Sequence, residues 1–133
     1  MATFHLQIVT PDRKAYDAQA ERIILRTVTG DVCILSRHID YVAPLGIGEA
    51  RVTDENGNTR RAACAGGMLS VANNVVRVMA TTFEWEEDID LERAQQAQEG
   101  ARQKLAQMAR DDVKYAVTEA KLKRALNRIQ IKG

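Results

Sequence analysis

A chain of 133 residues is long enough for one ordinary domain, or for a small domain with an appendage. Its 45% apolar and 28% charged content is typical of a soluble globular protein, and its net charge of +1 provides no overall field that would favour nucleic acid or an anionic membrane surface. No apolar run approaches the ~20 residues that span a bilayer, and the first residues lack the apolar core of a signal peptide, so we expect neither direct membrane insertion nor secretion.

Up to about Met79 the sequence alternates short runs of β-branched or apolar residues with turn residues. No helical pattern separates these runs, which indicates an antiparallel β-sandwich or flattened barrel. Six runs have the length and composition of strands: FHLQIV (4–9), ERIILRTVT (21–29), VCIL (32–35), GEARVTD (48–54), TRRAACAG (59–66) and NVVRVMA (74–80).

Turn residues separate the runs. Asn56-Gly57 is the strongest hairpin signal, because both central positions of a type I′ turn need a positive φ. Asn73-Asn74 predicts a second, weaker hairpin, and Gly66-Gly67 predicts a tight bend.

After Trp85 the pattern becomes helical. Asp88 is predicted to cap the first helix, since aspartate is a favoured N-cap residue. Its apolar stripe comprises Leu91, Ala94, Gln98, Ala101, Leu105 and Met108. A second helix is predicted from about residue 111 or 112, with the stripe Val113, Ala116, Val117, Ala120, Leu122, Leu126 and Ile129. The alanines bury little area, so we expect a weakly held two-helix antiparallel hairpin over residues 87–133, after a β-sandwich over residues 1–86.

Acids and bases are segregated in this C-terminal half. Residues 113–133 contain six bases and the single acid Glu119. The segment just before the first helix contains five acids and no base: Glu84, Glu86, Glu87, Asp88 and Asp90.

A hairpin that turns near residue 110 would place Arg93 beside Arg124 and Arg128, which share one helix face at a spacing of four. Three guanidinium groups suit phosphate oxygens, and Glu84 and Asp90 could accept from hydroxyl or amino groups of the same ligand. This pattern predicts a nucleotide site. The alternative is salt bridging across the hairpin, together with charges that complement the helix dipoles.

The sequence resembles the epsilon subunit of the bacterial F-type ATP synthase. IDLERA (89–94) is similar to the family's nucleotide-binding pattern of Ile or Leu, Asp, two variable residues, Arg and Ala, and LKRALNR (122–128) resembles the second-helix segment whose arginines join that site. The segments LQIVTPDRKAY, ILSRHIDYVAPL, GGMLSV and VVRVMA also follow the family order. The resemblance implies an ATP site made of Glu84, Ile89, Asp90, Arg93, Ala94, Arg124 and Arg128.

The resemblance also implies a non-catalytic regulatory subunit of a proton- or sodium-translocating ATP synthase, peripheral at the cytoplasmic face of the bacterial cell membrane. Its sandwich would bind the gamma subunit and the c-ring as part of the central stalk. Its hairpin would either fold on the sandwich or extend towards the alpha and beta subunits, where it opposes ATP hydrolysis. ATP, with or without Mg²⁺, would be a regulatory ligand that favours the folded, non-inhibitory form. No catalytic cofactor, metal site or nucleic-acid partner is implied.

The chain departs from the family pattern in two places. Cys33, Ser36 and Arg37 stand where the family usually has Gly, Pro and Gly. Gly100 stands where nucleotide-binding relatives often have a base midway along the first helix, and Arg102 is the nearest candidate to replace it.

Two other functions compete with this interpretation. One is a free-standing nucleotide-sensing module that uses the hairpin alone. The other is an enzyme in which Cys33 is the nucleophile and His38 its base, although both belong to one strand and its loop, where side chains rarely converge. Cys33 and Cys64 lack the paired spacing of a zinc or redox motif, so a reduced compartment is expected. For Phe83 and Trp85, burial against the sandwich is favoured over stacking on a base.

Overall fold

The structure is a computed structural model that describes residues 2–133, in which seven strands precede two α-helices. The strands are β1 (Phe4–Val9), β2 (Lys14–Thr27), β3 (Gly30–Leu35), β4 (Tyr41–Pro44), β5 (Ile47–Asp54), β6 (Thr59–Ala72) and β7 (Val75–Trp85). A 3₁₀ turn, Glu86–Asp88, leads to the helices α1 (Leu91–Ala106) and α2 (Tyr115–Lys132). The predicted fold class, a β-sandwich followed by a two-helix hairpin, is confirmed.

The strands form one sheet that closes on itself. Its order is β1-β7-β6-β5-β2-β3, with β4 paired to β6, and a further pairing of β1 with β2 completes a flattened barrel. Within residues 2–133 every strand pairing is antiparallel except that of β1 with β7, which is parallel. Closure leaves few unpaired strand edges, which makes the β domain a firm base for the helices.

The core lies inside this barrel. Alternate residues of β1, namely Phe4, Leu6 and Ile8, are almost completely buried, as the period of two in a strand requires. Phe83 and Trp85 at the end of β7 are also buried and pack edge to face, with ring centroids 4.9 Å apart. Their predicted burial against the sandwich is confirmed.

One of the two predicted hairpin turns has the expected geometry and the other does not. Asn73 and Asn74 both have a positive φ, 53° and 60°, so this pair has the left-handed conformation that a type I′ turn requires. At Asn56-Gly57 only Gly57 has a positive φ, and the prediction of a type I′ turn there is wrong. The carboxylate of Asp54 accepts the backbone N–H groups of Asn56 and Asn58, at 2.9 and 3.0 Å, and stabilises a longer loop instead.

Arg37 lies in a left-handed conformation, with a φ of 64°. Its N–H donates to the side-chain oxygen of Asn74 at 2.7 Å, which fixes the turn after β3. Because the Cβ atom makes this conformation costly, Arg37→Gly is expected to raise the free energy of unfolding by about 0.5–1 kcal/mol. Urea unfolding would measure the change, with Arg37→Ala as the control that keeps the Cβ atom. An equal gain in both variants would show that the arginine side chain, and not its backbone conformation, is the source of the strain.

The helices are packed on the β domain. α2 contacts β5 and β6, and α1 packs mainly on α2. Among the described residues no helix is long and apolar enough to cross a membrane.

The predicted helix boundaries need two corrections. Asp90, not Asp88, is the N-cap of α1, because the chain first makes the 3₁₀ turn. α2 begins at Tyr115, three or four residues later than predicted, since residues 107–114 connect the two helices.

The predicted stripe of α1 is buried or half-buried along its whole length, in agreement with the sequence pattern. The stripe predicted for α2 is only partly correct, because Val113, Val117 and Leu126 are exposed. The residues of α2 that are buried are Thr118, Ala125 and Ile131.

Candidate functional site

A cleft of about 850 Å³ lies where the turn between β1 and β2, the end of β7 and the two helices meet. Five of the seven residues predicted for a nucleotide site line this cleft: Glu84, Asp90, Arg93, Ala94 and Arg128. The folded hairpin therefore brings most of the predicted site together.

The start of α1 fixes the position of Arg93. Asp90 has an extended backbone, and its carboxylate accepts the N–H of Arg93 at 3.1 Å. This cap begins the helix and leaves the guanidinium of Arg93 in the first turn, exposed and facing the cleft. Ala94, the next residue, is buried. Oδ1 of Asp90 thus has a structural role as the helix cap.

Arg128 reaches the cleft from α2. Its Nε donates to Oε1 of Glu84, which ties α2 to β7. Arg93 lies 13 residues before the end of α1, and Arg128 lies 13 residues after the start of α2, so an antiparallel pair places them at the same level. Arg124 lies one turn closer to the connection, is half-buried, and is not among the residues that line the cleft.

Ile89 does not line the cleft either. It is buried and forms a small apolar cluster with Ala63 of β6 and Ile131 of α2, which we call the C-terminal cluster. Two hydrogen bonds from α2 support this contact: Asn127 Nδ2 donates to the carbonyl of Gly48 at 2.9 Å, and Lys132 Nζ donates to that of Glu86 at 3.1 Å. The C-terminal cluster holds the last turn of α2 against the β domain.

The side chains of Glu86 and Glu87 in the acidic segment pair with arginines of β6 and not with bases of α2. Arg60 donates to Glu87 at 2.6 Å and stacks over the ring of Trp85 at 3.6 Å, while Arg61 lies 3.4 Å from Glu86. The hydrogen bond from Arg60 lowers the pKa of Glu87 below its ordinary value. These pairs are exposed, so each contributes little to stability. The alternative of salt bridging across the hairpin applies to Glu84 and Arg128, but not to these two acids.

Sequence reasoning missed one wall of the cleft. Thr10, Asp12 and Arg13 in the turn between β1 and β2 line it together with Thr81 and Thr82 of β7. Arg13 Nη2 donates to the carbonyl of Phe83 at 3.1 Å. The segment LQIVTPDRKAY contains this turn and follows the family order, but only the sheet register shows that it faces α1.

Neither Gly100 nor Arg102, the nearest candidate to replace the missing base, lines the cleft. Within residues 2–133 no three His, Cys, Asp or Glu side chains are grouped to hold a metal ion. The guanidinium groups and carboxylates of the cleft are suited to a ligand that carries both phosphates and hydroxyl or amino groups.

Cys33 and His38, the residues of the alternative enzyme site, do not line this cleft. Cys33 is exposed on β3, and Cys64 is buried in the sheet, where desolvation raises the pKa of its thiol to about 12. Nδ1 of His38 lies 2.8 Å from the carbonyl of Ile39, its neighbour in the chain. The ring of His38 also packs edge to face against Tyr41, with centroids 5.8 Å apart.

Comparison with known families matches the chain twice. The family described as "ATP synthase, Delta/Epsilon chain, beta-sandwich domain" matches residues 3–86, and the family described as "ATP synthase, Delta/Epsilon chain, long alpha-helix domain" matches residues 87–133. Among curated relatives, the ATP synthase epsilon chain of Caldicellulosiruptor bescii is 40% identical over 98% of this chain and 94% of its own length. That of Bacillus velezensis is 41% identical over 100% of this chain and 99% of its own.

Solved structures show the same fold. A chain of the Euglena gracilis mitochondrial ATP synthase, from a structure of OSCP, F1 and the c-ring, is 25% identical and superposes with a TM-score of 0.82, covering 96% of this chain and 79% of its own. A chain of the Tetrahymena thermophila mitochondrial ATP synthase, from a structure of the central stalk and c-ring, has a TM-score of 0.64 at 12% identity, covering 97% of this chain and 96% of its own.

Proposed function

Because this chain belongs to the ATP synthase delta and epsilon chain family, we propose that it is a rotor subunit of the central stalk whose hairpin carries a regulatory ATP site. The β domain binds the gamma subunit and the c-ring. The hairpin opposes ATP hydrolysis when it leaves the β domain and extends towards the alpha and beta subunits. ATP, with or without Mg²⁺, binds the folded form and favours it.

One observation carries the regulatory part of this proposal. Arg93 of α1 and Arg128 of α2 line one cleft, and they do so while the two helices are packed together on the β domain. A ligand shifts an equilibrium between two forms only if it binds one of them better. A phosphate chain that contacts both guanidinium groups has this preference for the folded form.

The composition of the cleft also bears on the alternative of a nucleotide module that uses the hairpin alone. Glu84 belongs to β7, and Thr10 belongs to the turn between β1 and β2, so both lie in the β domain. An isolated hairpin would lack these walls. The whole chain is therefore the unit that we propose binds ATP.

Arg93→Ala is expected to weaken ATP binding by at least about tenfold, since a hydrogen bond to a charged group contributes about 1.5–3 kcal/mol. Isothermal titration calorimetry of the purified protein with ATP measures this loss. Arg102→Ala is the matched control, because Arg102 is an exposed arginine of the same helix that does not line the cleft. Equal affinity in the wild type and Arg93→Ala, or no binding heat in either, would refute the proposed ATP site.

A further inference from the structure

The turn between β1 and β2 places a third arginine at the cleft, in addition to Arg93 and Arg128. We propose that Arg13 binds the phosphate chain of the nucleotide, so that the ligand bridges the β domain and α1. This inference rests on the proposed function and adds a contact from the β domain to the same site.

Most of the hydrogen-bond donors of the Arg13 side chain are available to a ligand. A guanidinium group has five N–H donors, and Arg13 uses one nitrogen, Nη2, on the carbonyl of Phe83. Among residues 2–133 neither Arg13 nor Arg93 takes part in a salt bridge, whereas Arg128 is paired with Glu84. Arg13 and Arg93 are thus the two arginines of the cleft that form no ion pair with a carboxylate of the described residues.

The packing of the helices gives this pair a regulatory consequence. α1 packs mainly on α2, and α2 makes the contacts with β5 and β6. The attachment of α1 to the β domain is therefore mostly indirect. A polyphosphate held by Arg13 on one side and Arg93 on the other adds a direct link, which is lost when the hairpin extends. Such a link increases the preference of the ligand for the folded form beyond the preference that contacts within the hairpin alone would give.

Asp12 opposes this binding. Asp12 is charged at neutral pH, as an aspartate ordinarily is. The hydroxyl of Thr10 donates to its carboxylate at 2.6 Å, and this hydrogen bond is the largest cause that lowers the pKa of Asp12 further. Its negative charge lies at the same cleft as Arg13 and repels a polyanion. The two neighbours therefore provide substitutions with opposite expected effects.

Titration calorimetry with ATP tests the inference. Arg13→Ala is expected to weaken ATP binding at least about fivefold, Arg13→Lys to restore part of the loss because the charge remains, and Asp12→Asn to tighten binding about twofold or more. Lys14→Ala is the matched control, since it removes the same charge from the adjacent residue. Lys14 pairs with Asp17 at 3.1 Å and does not line the cleft, so its loss should change the affinity less than twofold.

The outcomes separate this inference from the proposed function. If Arg93→Ala weakens binding and Arg13→Ala stays within twofold of the wild type, the bridging role of Arg13 is overturned while the ATP site stands. If Arg13→Ala and Lys14→Ala weaken binding equally, general charge explains the effect and the specific contact is overturned. If the wild type shows no ATP binding at all, both proposals fail.

Discussion

Gly67→Ala is expected to lower the free energy of unfolding by about 4 kcal/mol, which combines backbone strain with overpacking. Gly67 has a φ of +99°, a conformation that residues with a Cβ atom rarely adopt. A Cβ atom added there would lie 1.9 Å from the carbonyl oxygen of Met79 and 2.9 Å from Cα of Ala80. Both are backbone atoms of the paired strand β7, so β6 and β7 must separate to admit the methyl group.

This position cannot relax easily, because β6 is paired with β4, β5 and β7 around it. β6 pairs with β5 up to Ala65, and it pairs with β4 from Met68 onwards. The carbonyl of Gly67 also accepts the N–H of Leu45 at 2.9 Å. The predicted bend at Gly66-Gly67 is thus the point where β6 changes partners, and strain there affects the whole barrel.

Gly57→Ala is the matched control for Gly67→Ala. Gly57 has a similar φ of +83°, but nothing lies within 4 Å of the Cβ atom that would be added. It should therefore cost only the backbone strain, about 1–2 kcal/mol. Urea unfolding followed by circular dichroism measures both variants. If both variants lose the same stability, the contact with the carbonyl oxygen of Met79 adds nothing to the cost of the Cβ atom at Gly67.

Most of the fold could be predicted because its strands alternate strongly. β1 and the buried end of β2 have the period of two, and the runs predicted from them agree with the observed strands. β4 was missed because it has only four residues and ends at Pro44. The first half of β2 was missed because most of its residues are exposed, and Ala15 and Tyr16 are only partly buried against the core. Its pairing with β1 maintains it as a strand.

The site could be predicted only where local geometry determines it. Helical rise and the length of the connection place Arg128 opposite Arg93, and both properties can be estimated from the sequence. The position of Arg13 cannot be estimated in this way. Its contact with Phe83 joins residues 70 positions apart, and it depends on the register of the sheet. The same holds for Ile89, whose partners Ala63 and Ile131 come from two distant segments.

Ile131→Asp is expected to release the hairpin from the β domain, with a shift of about 3 kcal/mol, or about 150-fold, towards the open form. Ile131 is only 3% exposed and packs against Ala63 and Ile89 in the C-terminal cluster. An unpaired carboxylate cannot remain in that apolar contact without a large desolvation cost. Three polar contacts also hold α2 to the β domain. The hydrogen bonds from Asn127 and Lys132 contribute about 1 kcal/mol each, and the partly exposed ion pair of Arg128 with Glu84 contributes a similar amount.

Two measurements test this release, one on the isolated protein and one on the assembled complex. Small-angle X-ray scattering of the isolated protein should report a larger radius of gyration, because an opened hairpin lengthens the molecule. In the assembled ATP synthase, the variant should slow ATP hydrolysis even at high ATP, if the extended hairpin is inhibitory as proposed. In the wild-type complex ATP favours the folded hairpin, so this complex should hydrolyse ATP faster under the same conditions.

Val117→Asp is the control that separates hairpin opening from the added charge. Val117 lies on the same helix but is 57% exposed, so a carboxylate there remains hydrated and should leave the radius of gyration unchanged. An unchanged radius in Ile131→Asp would show that the C-terminal cluster does not hold the hairpin closed. If the radius increases and hydrolysis stays as fast as in the wild type, the opened hairpin does not inhibit, and the regulatory half of the proposed function is wrong.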